Sequence, residues 1–236
     1  MYKNIIRHFI KITRLLRRKA RQESCKLKAR RRKKVFVIGL NKTGTTTMAK
    51  ALHDLGYMLA SEREAKPLFH AWLRRDFKPI IEYCKTAQAF QDSPFSFPET
   101  FKSVDQAFPG SKFILTVRDD EDQWYGSITR FHSKLWGDGD GTPPTQRQLK
   151  EAVNSYKGRP WDVNQALFKT PRNDPYNEEI LKTFYLDYNK SVMDYFSGRS
   201  DDFLVLNVAE AGAYKRFVDF LGVESDSSEF PWENRT

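Results

Sequence analysis

Disulfide frameworks and zinc sites need more cysteine than this chain carries. Cys25 and Cys84 are its only cysteines, four histidines are scattered through 236 residues, and no metal-ligand spacing is present. No metal is expected, and a reducing, cytosolic setting is the simpler reading. Long apolar runs are missing too. No stretch approaches the roughly 20 uncharged apolar residues that a membrane span requires. Acid is nearly absent from residues 1–34, where Glu23 is the single carboxylate among 15 Lys and Arg. The remaining 202 residues hold 25 basic and 29 acidic side chains, so the net charge of +10 belongs to a basic leader on a mildly acidic body. That body lacks the charge to neutralise nucleic-acid phosphates, and nucleic acid is not an expected partner.

The leader has period as well as charge. Ile5, Phe9, Ile12 and Leu16 recur at helical spacing with Lys and Arg between them, the pattern of a basic amphipathic helix. Arg7, Lys11 and Arg14 interrupt its apolar runs, which argues against a secretory signal. Residues 1–34 therefore read either as a reversible anchor on an anionic membrane surface, at about 1 kcal/mol per basic residue, or as a helix packed on the domain that follows. The first makes the protein cytoplasmic and peripheral on a membrane. Asn-x-Ser/Thr matches at Asn41, Asn189 and Asn234 are read as chance, because the first lies inside a loop that a glycan would block.

From residue 35 onward, short apolar runs at 35–39, 86–92, 112–117 and 203–208 alternate with helical patterns at 45–55, 66–84, 97–107, 121–135, 145–154, 176–197 and 211–222. Strands that are continuously apolar are buried on both faces, so one α/β domain is predicted over 35–236, a three-layer fold with a central parallel sheet flanked by helices. Such folds bind ligands at the carboxyl ends of their strands. The stretch GDGDGTPP, 137–144, predicts an exposed loop. It lacks the Gly and Glu positions of a calcium loop, and the text from there to about residue 175 reads as irregular.

One short stretch carries the chemistry. GLNKTGTT, 39–46, has the glycine spacing of a phosphate-binding loop, with Gly39, Gly44 and a hydroxyl at Thr46. The lysine that should follow the second glycine is replaced by Thr45, and the loop's lysine is Lys42, two residues before Gly44. Amides at the helix start still form an anion site. One displaced lysine, with Arg118 rather than Asp after the third strand, suits a smaller anion than a metal-bound triphosphate. Asp119 keeps open a nucleotide kinase or NTPase with a degenerate loop.

The stretches VFVIGLNKTGTTTMAKALHDLGY, FQDSPF, FPGSKFILTVRDDEDQWYGS and FLGVESDSSEFPWENRT run in this order from about residue 34 to the C-terminus. Together they resemble the sulfotransferases that use 3′-phosphoadenosine-5′-phosphosulfate (PAPS), in the short branch found in many bacteria and some eukaryotes. The resemblance implies a P-loop-like fold, PAPS as co-substrate, and metal-free transfer of a sulfuryl group to a hydroxyl of a glycan, lipid head group or small metabolite. Lys42, Thr43, Gly44, Thr45, Thr46 and Thr47 would cradle the 5′-phosphosulfate, with Lys42 also stabilising the bridging oxygen. Arg118 and Ser127 would grip the 3′-phosphate, although their spacing of nine is one longer than in many members. Asp92, where relatives carry His or an acid, would be the catalytic base.

Beside that reading, Asp92 also suits a turn or helix cap. His70 and His132 are the histidines in segments that could reach the cleft. Trp124, Trp136 and Trp161 suit either cleft or core, and Arg235 could approach the nucleotide. A noncatalytic membrane-associated nucleotide-binding protein is the remaining alternative.

Overall fold

Val35, Phe36 and Val37 are almost wholly shielded from solvent and form β1 (Val35–Val37), near the centre of a parallel sheet. The computed structural model describes residues 32–231; the leader pattern, Cys25, Asn234 and Arg235 fall outside the described residues. With β1 pair β2 (Ala89–Phe90) on one side and β3 (Lys112–Thr116) on the other. After a small antiparallel hairpin, β4 (Val153–Asn154) with β5 (Tyr156–Lys157), the last strand β6 (Phe203–Leu206) completes the order β2-β1-β3-β6. All four strands of this sheet fall inside the stretches predicted from the apolar runs.

Side chains alternate across the sheet, and that alternation builds the three layers. Phe36 stacks on Phe90 and Phe113, each at 5.2 Å between ring centres, on one face. Val35, Val37, Ile114 and Leu206 form the opposite face. The first face is covered by α5 (Thr100–Ala107) and α9 (Glu178–Tyr195), through Phe101, Tyr188 and Val192. The second is covered by α1 (Thr45–Asp54) and α10 (Ala213–Leu221), through Met48, Leu52 and Phe217.

Two helix assignments need correction. After α2 (Glu62–Ala65), the pattern at 66–84 is broken into a 3₁₀ turn at Lys66–Leu68, α3 (Phe69–Leu73) and α4 (Lys78–Tyr83). Pro67 and Pro79 lack the N–H that a continuous helix would use and each occupies a first turn, while Arg75 takes φ 59° between segments. The segment read as irregular holds α8 (Arg159–Phe168), after α6 (Glu121–Trp136) and α7 (Gln146–Glu151). Gly158 at φ 85° followed by Pro160 is a helix start, and reading the same residues as loop mistook a start signal for a break. The GDGDG loop does follow α6, with Gly139 and Gly141 at positive φ. Lys34, assigned to the leader, is 2% exposed and donates to the Ala87 carbonyl at 2.7 Å, so the domain already includes it. No described helix is long and apolar enough to cross a membrane.

Candidate functional site

The site is built where β1 and β3 end. A Cβ on Gly39 would lie 2.0 Å from Thr116 Oγ1 and 2.5 Å from its carbonyl, so only glycine lets the loop leave β1 across β3. The chain then turns on itself. Thr43 donates to the Leu40 carbonyl from both its amide, at 3.3 Å, and its hydroxyl, at 2.6 Å. The Thr43 and Thr116 hydroxyls are 2.6 Å apart; because Thr43 Oγ1 donates to Leu40, Thr116 donates to it.

Thr43 is therefore wholly buried and ties the loop internally. Its amide and hydroxyl do not face the cavity, which corrects its assignment to the cradle. Gly44 takes φ 103°, and a Cβ there would also meet Val208 Cγ2 at 2.6 Å. From this left-handed cap α1 begins, its first intrahelical bond running from Met48 N–H to the Gly44 carbonyl at 3.0 Å. The amides just ahead of Met48 belong to the opening turn, where an α-helix offers its N–H groups no internal acceptor.

The residues of this turn, Gly44, Thr45, Thr46 and Thr47, line a cavity of about 350 Å³ together with Lys42, Asp92, Arg118 and residues 208–214. Lys42 takes φ 72° and sets its Nζ over the Phe131 ring at 4.0 Å from the centre. Burial lowers its pKa, and Arg118, Lys134 and Arg130 lower it further by like charge. Arg118 is tied to the loop itself: its Nε donates to the Lys42 carbonyl at 2.6 Å. Burial is also the main cause lowering the Arg118 pKa. A pocket of mutually repelling, partly desolvated cations is one that an anion would relieve.

Helix α9 holds this ground in place, a duty its sequence did not reveal. Tyr188 donates to the Ile38 carbonyl at 2.6 Å, and the Tyr185 hydroxyl accepts from the Arg118 amide at 2.9 Å. Trp124 stacks on Tyr185 at 4.9 Å and donates from Nε1 to the Asn41 carbonyl at 3.0 Å, so it braces the loop rather than offering an open stacking face. Ser127 lies on the buried side of α6, away from the cavity wall. Its hydroxyl is buried and has no hydrogen-bond partner among the described residues.

Asp92 follows β2 at φ 58°. Its Oδ1 accepts from the Ser93 amide at 2.8 Å and its carbonyl from the Ser96 amide at 3.0 Å, so it does act as a turn residue. Asp92 also belongs to the lining of both the first cavity and a second one of about 240 Å³. The two share Asn41, Asp92 and Phe131.

The second cavity includes His132 and Trp136 but neither His70 nor Trp161. His132 Nδ1 is 2.8 Å from the Tyr176 hydroxyl, and its pKa is pushed down to about 3, mainly by burial and then by Lys42. It is neutral at any ordinary pH and a weak base. His70 stacks on Tyr156 at 5.5 Å. Arg159, which also lines this cavity, was missed because its segment was read as loop. Asp119, the metal ligand a kinase would use, accepts from Asn207 Nδ2 at 2.5 Å and from Gln123 Nε2 at 2.7 Å. Among the described residues, no group of three His, Cys, Asp or Glu is placed to hold a metal ion.

No curated protein matches the chain. A family model described as "Sulfotransferase domain" matches residues 34–236, nearly all of the folded body and the whole site just described, and on that match the chain belongs to the sulfotransferase family.

Proposed function

We propose that the protein transfers a sulfuryl group from PAPS to a hydroxyl of an acceptor held in the second cavity. The observation that carries this reading is the junction of the two cavities at Asp92. Asp92 belongs to both linings, and Lys42 and Arg118 belong to the first.

PAPS would supply a sulfuryl group on a phosphate leaving group, and the residues present fit it. The amides of Gly44 to Thr47 would hold the 5′ end. Arg118, which lines the first cavity, offers a guanidinium to the 3′-phosphate. In the transfer, the acceptor oxygen bonds to sulfur as the bond from sulfur to the bridging oxygen breaks. Lys42 meets the charge that grows on that bridging oxygen, and Asp92 takes the acceptor's proton.

A kinase would need Asp119 free for a metal, whereas its carboxylate is already held by Asn207 and Gln123. The decisive test is thermal unfolding with 3′-phosphoadenosine-5′-phosphate, the desulfated product, set against ADP and against ATP with Mg²⁺. At about 100 times its Kd the 3′-phosphorylated nucleotide should add about 2.7 kcal/mol, roughly 5 to 10 °C in a chain of this size. A shift seen only with ATP and Mg²⁺ would overturn the proposal.

A further inference from the structure

The second cavity contains a guanidinium that makes no ion pair among the described residues. Arg159, the first residue of α8, is 5% exposed and lines this cavity. Its Nη2 donates to Ser93 Oγ at 3.2 Å, its Nε is buried without a partner, and Nη1 has no hydrogen-bond partner among the described residues. No carboxylate of the described residues lies within 4.0 Å of the guanidinium. The ring of Phe69 is its aromatic neighbour, at 5.8 Å.

Arg199 shows how this chain treats an arginine that serves the fold. It makes two bonds to Asp105, at 2.7 and 2.9 Å, and a third to Asp202 at 3.1 Å. A guanidinium taken out of water without such partners is strongly disfavoured. Burial accordingly lowers the Arg159 pKa.

The other charges on this wall are already used or lie elsewhere. Glu62 accepts from Gln91 Nε2 at 2.7 Å, and Lys66 donates to Asn154 Oδ1 at 2.5 Å. Asp92 is the nearby carboxylate whose charge Arg159 feels, and the Ser93 hydroxyl that Arg159 holds is on the very next residue. The remaining surface is mostly apolar, with Phe97, Ile128, Leu135, Trp136 and Phe168 among its residues.

We propose that Arg159 is the receptor for an oxyanion on the acceptor, so that the protein takes acceptors with an apolar body and a carboxylate or similar anion close to the hydroxyl that reacts at Asp92. A carboxylate can accept charge-assisted hydrogen bonds from the guanidinium. That pairing would register the hydroxyl beside Asp92 while the aromatic wall covers the body. The proposal rests on the sulfotransferase reading for the word acceptor; the buried guanidinium without an ion pair does not depend on it.

The test measures binding, by thermal unfolding and titration calorimetry, with and without 3′-phosphoadenosine-5′-phosphate. The probes are para-hydroxybenzoate, para-hydroxyphenylacetate and para-hydroxyphenylpropionate, each paired with its methyl ester. At least one acid should bind roughly ten- to hundredfold tighter than its ester. Arg159→Gln should erase that preference, and Arg159→Lys should retain part of it.

If no acid is preferred over its ester, including the case where nothing binds, the proposal fails. Equal loss of acid and ester binding in Arg159→Gln would assign the guanidinium to Asp92 or to the fold, and also overturns it. Should the variants not fold, the acid–ester comparison in the unaltered protein decides alone. An acid preference that persists in a protein blind to the 3′-phosphorylated nucleotide would remove the sulfotransferase reading and leave the anion receptor standing.

Discussion

The Nε of Arg118 donates to the main-chain carbonyl of Lys42 across 2.6 Å, which joins the end of β3 to the loop that leaves β1. The two cations proposed to bind opposite ends of one nucleotide are thereby parts of a single rigid unit. Arg118→Lys keeps the charge but loses the planar fork that can hold a carbonyl and a phosphate together. Its expected effect is a roughly ten- to hundredfold loss of affinity for 3′-phosphoadenosine-5′-phosphate, with ADP binding little changed. Hydrogen exchange at residues 40–44 should also become faster. Calorimetry and exchange measured on the same variant check both halves.

Lys42→Met should separate catalysis from stability. Removing a donor aimed at developing charge costs about 10² to 10³ in transfer rate. Without nucleotide the same change should raise the unfolding temperature, because the lysine is held among Arg118, Arg130 and Lys134 with its pKa lowered. The sign follows from linkage. With the folded pKa below 10.5, the unfolded chain binds more protons in the window between the two values, so stability rises with pH there. The variant should lose that part of the slope, which unfolding curves taken along an alkaline series would show.

Asp92→Asn preserves size and the bond from the Ser93 amide but removes the proton acceptor. Transfer should fall by about 10² to 10⁴, while the unfolding shift with the desulfated nucleotide stays. Loss of both would return Asp92 to a purely structural turn.

His132 lines the acceptor cavity without the basicity to serve it. With its pKa pushed down to about 3, His132→Gln should leave the pH dependence of transfer unchanged above about pH 5. Its effect should appear in folding instead. A histidine that is neutral when folded and charged when unfolded gives stability that is full above its ordinary pKa of 6.5 and is lost as pH falls toward 3. Acid unfolding of His132→Gln should therefore lack that contribution, about one proton in the dependence of stability on pH.

Gly44→Ala meets two obstacles, a φ of 103° and the Val208 side chain 2.6 Å from the new methyl. About 1 to 3 kcal/mol of destabilisation is expected, together with loss of nucleotide binding. Adding Val208→Ala should recover the steric part and leave the backbone part, a split that chemical denaturation of the double variant measures.

The linear order of residues was enough to specify the parallel sheet, because strands buried on both faces are apolar along their length, and Val35–Val37 and, within Lys112–Thr116, the residues Phe113, Ile114 and Leu115 are written that way. The same order displayed the anion loop through the spacing of Gly39 and Gly44, of which Gly44 is required locally by its positive φ and Gly39 by the approach of Thr116. It also placed Lys42, Asp92 and Arg118 as candidates. Tertiary structure decided what each residue does with its neighbours. Thr43 turned inward because Thr116, 73 positions away, offers its hydroxyl a partner. Tyr185 and Tyr188 became supports of the site only when α9 crossed the ends of β1 and β3. Arg159 gained meaning from what the fold failed to bring near it, and the distance from a cation to its nearest carboxylate is a property of packing that no local stretch of sequence encodes.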